Sequence, residues 1–143
     1  MSDPSGVGGG TSAGLPAVAV IMPVCNEAVG LSGAVASVLC QEYDAEIEVC
    51  LAVAPSVDDT AAVAAALAGG DERVRVVDNP AGVTPSGLNA AIRATTAPVV
   101  VRVDGHSTLP PGYIATAVAT LERTGAVNVG GIQRPGGTTP FED

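Results

Sequence analysis

The stretch that decides the fold is Val99-Val100-Val101-Arg102-Val103-Asp104-Gly105-His106. An almost unbroken valine run suits a strand of a buried parallel sheet. It ends abruptly in a carboxylate, a glycine and an imidazole. Four similar apolar runs are expected as strands, at Val18–Met22, Ile47–Val53, Val74–Val77 and Val127–Ile132. The first, second and fourth in chain order read as covered on both faces. Pro23 is expected to stop the first run.

The segments between them carry helical patterns. Leu31, Ala34, Val35, Val38 and Leu39 recur at i, i+3, i+4, i+7 and i+8. Ser56 and Asp59 have the spacing of a capping box opening an alanine-rich helix that ends at Gly69-Gly70. Thr84-Pro85 reads as an N-cap followed by proline at the first helical position, with Leu88, Ala91 and Ile92 as the apolar face. A last helix is expected from Pro111 to Thr124 with Ile114, Val118 and Leu121 inward. Residues 1–14 read as a flexible Gly/Ser-rich tail and 15–143 as one domain. Strict strand–helix alternation predicts an α/β fold: a doubly wound, mostly parallel sheet with helices on both faces. Ligands of such sheets bind beyond the carboxyl ends of the strands, where the strand order reverses. The loops Pro23–Glu27, Pro55–Asp59 and Asp104–Ser107 lie on that edge.

Composition narrows the partners. The 143 residues include no lysine, six arginines and fifteen carboxylates, for a net charge of −9. That balance speaks against nucleic acid and against an anionic membrane surface as partners of this segment. It also rules out a Walker loop, whose lysine is missing. Gly8-x-Gly10-x-x-Ala13 precedes the first strand instead of following it, so it is no dinucleotide fingerprint. Cys25, Cys40 and Cys50 show no C-x-x-C spacing; they are expected to be small buried hydrophobes in a reducing, cytoplasmic compartment. No signal peptide is visible.

The Asp104-Gly105-His106 turn has two readings. Asp104 and His106 can face one divalent cation, Mg²⁺ or Mn²⁺, with the imidazole favouring Mn²⁺; otherwise the turn is ordinary and His106 is solvated. Arg102, on Asp104's side of the strand, either supports that carboxylate or meets a phosphate, or is a solvated charge. Asn26 and Glu27 follow the first strand and read equally as turn residues or ligand contacts. Asn89 is a weak helix former early in a helix, which suggests a hydrogen-bonding task.

In order and spacing, Val20-Ile21-Met22-Pro23-x-x-Asn26-Glu27, Gly82…Leu88-Asn89-Ala90-Ala91-Ile92 and Arg102-Val103-Asp104-Gly105-His106 resemble a family 2 glycosyltransferase of the GT-A fold. Asn79-Pro80, Thr84-Pro85 and Leu109-Pro110-Pro111-Gly112-Tyr113 are similar to its succinoglycan-biosynthesis type. The resemblance implies an inverting transfer of sugar from a nucleotide-diphosphate donor to a carbohydrate or lipid-linked acceptor, in polysaccharide biosynthesis. It places Asp104 and His106 at the metal-binding D-x-D position, with Pro23, Asn26, Glu27, Ser56, Asp58, Asn89 and Arg102 on the nucleotide-sugar side. Val53-Ala54, Cys25 and Val83-Thr84 depart from the family's base-holding acidic, aromatic and basic residues, which bears on the base more than on phosphate or metal. The resemblance also implies a general base beyond Asp143, so this chain is expected to be the donor half only and inactive by itself, with the full-length protein possibly at the cytoplasmic face of the membrane. Two other functions are compatible with such a fold: a nucleotidyltransferase, which would call for a glycine-rich basic loop where Pro23–Glu27 stands, and a non-catalytic nucleotide-binding remnant.

Overall fold

A computed structural model describes residues 14–131. Eight elements alternate: β1 (Val18–Val24), α1 (Leu31–Leu39), β2 (Ile47–Val53), α2 (Thr60–Gly70), β3 (Val74–Asp78), α3 (Thr84–Arg93), β4 (Val99–Arg102) and α4 (Tyr113–Thr124). The four strands are all parallel, in the order β3-β2-β1-β4. The chain moves outward from β1 to β3 and then returns to β1's other side. The strand order therefore reverses between β1 and β4, which defines the crevice.

Two apolar layers hold the sheet. Val18, Val20, Met22 and Val24 point to the thicker layer, where Leu31, Val35 and Val38 of α1, Ala64 of α2, and Ile114 and Val118 of α4 meet Val49 and Leu51. Ile21, Cys50 and Ala52 point the other way, against Ala91 and Leu88 of α3. Alanine and cysteine on that side let one helix sit close to the strands. Ile92, expected on α3's inner face, is instead 46% exposed. It lies one position beyond Ala91, where the helix has already turned away.

β1 extends past its proline to Val24, contrary to the expectation that Pro23 ends it. The hydrogen-bond directions explain why. Carbonyls of alternate residues face opposite neighbours: Val24 accepts from Ala54 on the β2 side at 2.9 Å, whereas Ile21 accepts from Val103 on the β4 side at 3.1 Å. Pro23 shares Ile21's side, so its missing N–H cuts only the ladder to β4. The β1–β2 pairing continues to Val24↔Val53, while β1–β4 pairing stops at Ile21↔Arg102.

β4 is less covered than a valine run suggests. It is an edge strand, and Val100 is 40% exposed on the face that α3 does not reach. The expected strand at Val127–Ile132 is not formed over its described part, Val127–Gly131. No described strand lies beside it, Val127 is fully exposed, and Gly130-Gly131 weaken an extended run. The expected tail, apart from Gly14, lies outside the described residues, as does Ile132. The cysteines also differ from expectation: Cys50 is buried, but Cys25, just after β1, and Cys40, capping α1, are exposed.

Gly105 is needed for space, not for a left-handed backbone. A Cβ there would lie 2.9 Å from Val24 Cγ1 and 3.1 Å from Glu27 Cγ, so the turn after β4 packs directly on the loop after β1. Gly105→Ala should therefore lower stability by about 1–3 kcal/mol, the usual cost of overpacking. Urea denaturation checks this; an unchanged midpoint would mean that the turn has slack.

The α2–β3 corner is closed by a charged pair. Arg73 donates from Nε and Nη2 to Asp71, at 3.0 and 2.8 Å, and its amide donates to the same carboxylate. The Arg73 side chain holds the Asp71 carboxyl down at about 2. Since the unfolded value is about 3.9, the pair's contribution is complete above pH ~4 and disappears as pH falls toward 2. Arg73→Ala should lose stability at neutral pH, and the gap to wild type should close through that acid window in pH-resolved denaturation.

Candidate functional site

A cavity of about 210 Å³ opens at the carboxyl edge, over the β1–β4 crevice. Every strand contributes to its wall: Pro23, Val24, Cys25 and Glu27 after β1, Ala54 after β2, Asn79 to Thr84 after β3, and Arg102, Asp104 and His106 after β4. Five sequence-predicted residues thus converge there, namely Pro23, Glu27, Arg102, Asp104 and His106. The other four do not line it.

The polar groups are paired in a definite way. Arg102 donates from Nε and Nη2 to Asp104 Oδ1, both at 3.2 Å, which leaves Oδ2 outside the pair. His106 Nδ1 lies 3.1 Å from Glu27 Oε1. A carboxylate can only accept, so Nδ1 is the donor and Nε2 is the ring atom available to a ligand. His106 is well exposed (69% of its side chain), whereas Glu27 is mostly covered (21%).

This donor set fits a divalent cation held jointly with a ligand's phosphates. Among the described residues, no three carboxylate, imidazole or thiol groups converge as a self-sufficient metal cage. Mg²⁺ and similar ions ordinarily take one or two protein oxygens plus phosphate oxygens. Asp104 Oδ2 and His106 Nε2 are the two protein atoms in position to serve. A carboxylate behind a liganding imidazole, as Glu27 stands behind His106, is the usual arrangement for fixing ring orientation.

The remaining predicted residues lace the loops together. Three successive backbone amides after β1 donate to side chains after β2: Asn26 to Ser56 Oγ at 3.1 Å, Glu27 to Thr60 Oγ1 at 2.8 Å, and Ala28 to Asp58 Oδ2 at 3.2 Å. Asn26 returns one bond, its Oδ1 accepting from Val57 N at 2.9 Å, and sits at φ 53°, a conformation that asparagine tolerates better than most residues. Ser56 is therefore not the first member of a capping box. Its hydroxyl donates to Ala54 O and accepts from Asn26, while Asp58 receives the Thr60 amide at the start of α2. Thr60's hydroxyl bond, joined by the Thr60 and Ala28 amides, holds the Asp58 carboxyl below its ordinary range.

Asn89 is exposed on α3, away from the cavity. The hydrogen-bonding asparagine is Asn79 instead, 4% exposed. Its Nδ2 donates to Val83 O at 3.0 Å and its Oδ1 accepts from Ser86 Oγ, which ties the cavity's β3-side wall to the start of α3. Thr84 makes no cap; Val83 holds the N-cap position, and Ser86 Oγ reaches back to its carbonyl. Gly87 permits this, since a Cβ there would lie 2.8 Å from Asn79 Nδ2. Thr60 and Asn79 were the two residues missed. Asn79-Pro80 stood out only as part of a resemblance, and Thr60 had no signal beyond its place among three polar neighbours.

Comparison with known proteins accords with this architecture. The family model described as Glycosyl transferase family 2 matches residues 19–142. The Succinoglycan biosynthesis protein ExoA of Rhizobium meliloti (strain 1021) is 29% identical over 112 residues, 77% of this chain and 34% of that protein. The mannosyltransferase PcManGT from Pyrobaculum calidifontis, solved in complex with GDP-Man and Mn²⁺, is similar with a TM-score of 0.68 at 27% identity, over 74% of this chain and 32% of that one. The glucosyl-3-phosphoglycerate synthase from Mycobacterium tuberculosis shares the fold at a TM-score of 0.59 and 24% identity, over 77% and 40% of the two chains. The chain spans about a third of the length of the first two relatives. With that match over nearly its whole length, this chain belongs to glycosyl transferase family 2.

Proposed function

We propose that this chain is the donor-binding part of an inverting glycosyltransferase that takes a sugar from a nucleotide diphosphate. The observation that carries the reading is the convergence of Asp104, His106, Glu27 and Arg102 on one cavity at the β1–β4 switch point. The relative with bound GDP-Man and Mn²⁺ supports a nucleotide-sugar and a divalent cation as its occupants.

In this reading Asp104 Oδ2 and His106 Nε2 hold Mn²⁺ or Mg²⁺. When bound, the cation supplies positive charge against the diphosphate that departs from the sugar. Arg102 keeps Asp104 aimed and adds the cavity's other positive charge. Glu27 holds the His106 ring. Pro23, Cys25, Ala54 and the Asn79–Thr84 wall shape the remaining space, where the nucleoside fits; Asn26, Ser56 and Asp58 act behind them as loop supports. In an inverting transfer an acceptor hydroxyl attacks the anomeric carbon as the bond to the diphosphate breaks, and its proton passes to a base. We assign that base, and the carbohydrate or lipid-linked acceptor, to the part of the relatives' length that this chain does not span. Polysaccharide assembly is the role we favour, on the strength of the succinoglycan relative. A cytoplasmic setting accords with three unpaired cysteines. No described helix is long and apolar enough to cross a membrane.

Calorimetry with UDP or GDP tests the assignment. Binding is expected in the presence of Mn²⁺, to vanish with chelator, and to weaken at least tenfold in Asp104→Ala, since charge-assisted contacts contribute roughly 1.5–3 kcal/mol. Metal-independent binding, or an unaffected Asp104→Ala variant, would remove the metal assignment.

A further inference from the structure

Thr60 is one of only two fully or nearly fully buried polar residues among those described, at 0% exposure, and nothing above gives it a task in the site. It lies at the first turn of α2, yet its hydroxyl does not cap that helix. The oxygen accepts the Glu27 amide at 2.8 Å and donates to Asp58 Oδ1. Asp58 in turn receives the Thr60 and Ala28 amides, so its carboxylate is fixed from two sides. Glu27 is thus held through its backbone by Thr60, and its side chain holds His106 at Nδ1. The amide of Glu27 has no other recorded partner.

We propose that the Asp58–Thr60 pair is a positioning clasp for the site, fixing Glu27 and, through it, the ring orientation of His106. Neither residue touches the cavity, so their effect on a ligand is indirect. The geometry favours this over a purely local role in α2. A hydroxyl serving only its own helix would accept an amide of the first turn, whereas this one reaches 33 residues back along the chain. The neighbouring amides of Asn26 and Ala28 are received in the same way, so the loop after β1 is shaped by side chains of the loop after β2.

His106 is the sole histidine, so its ring resonances are a single-site reporter. Thr60→Val keeps the buried shape but removes the hydroxyl. In NMR spectra of the whole chain without ligand, the His106 ring signals are expected to move, while Thr60→Ser keeps them near their wild-type positions. Titration with UDP or GDP and Mn²⁺ should show affinity weakened roughly tenfold in Thr60→Val, the effect of leaving a buried donor without its partner, and restored in Thr60→Ser. A folded Thr60→Val whose His106 signals do not move overturns the clasp. If Thr60→Val does not fold, Asp58→Ala, at an exposed position, is read in the same two ways. The binding arm rests on the donor-site reading, but the ligand-free spectra do not. Wild type that binds neither nucleotide would defeat that reading and leave the clasp to be decided by His106 alone.

Discussion

The structure depends on one absent hydrogen-bond donor. Pro23 sits in the central strand, where a proline is normally excluded, and its missing N–H faces only β4. β1 can therefore stay paired with β2 to its last residue while parting from β4 two residues earlier. That unequal ending separates the two loops at the switch point without disturbing the buried core beneath. The crevice is a direct result, and Pro23 lines it.

Having opened, the crevice is kept narrow by contact at Gly105, whose missing side chain lets the β4 turn rest on Val24 and Glu27. A carboxylate and an imidazole from loops 79 residues apart thereby come within hydrogen-bonding distance. Gly30 closes the same junction from the other side, since a Cβ there would contact the His106 backbone at 3.4 Å. Steric fit, more than attraction between charges, sets this geometry. Exposed ion pairs contribute little by themselves.

Electrostatics then limits what the site can hold. The chain is strongly acidic and lysine-free, and three amides of the loop after β1 are already engaged by Ser56, Thr60 and Asp58. That corrects the simple expectation that edge-loop amides would cradle an anion: in this loop they are spent on internal order. A diphosphate in this cavity would have to find its counter-charge in Arg102 or in a cation shared with Asp104 and His106. The same bonds that remove the amides make the loop rigid, which suits a site whose ligand atoms must be held in place.

The sequence by itself determined the element order, the parallel sheet and the edge on which the chemistry lies. Valine runs and helical periodicity are local patterns, and right-handed crossovers leave few ways to assemble them. It also singled out Arg102, Asp104 and His106, because three residues at the end of one strand must share a neighbourhood. It overreached at Val127–Ile132, where a strand needs a partner that local pattern cannot supply, and at Ser56, whose spacing suited a cap that the tertiary structure uses otherwise. Only the tertiary structure decided that Glu27 meets His106, that Asn79 and not Asn89 is the buried asparagine, and that Thr60 reaches back to the first loop. Each of these is a contact between segments far apart in the chain. Its existence depends on strand order and register, and a side chain's own sequence neighbours carry no record of either.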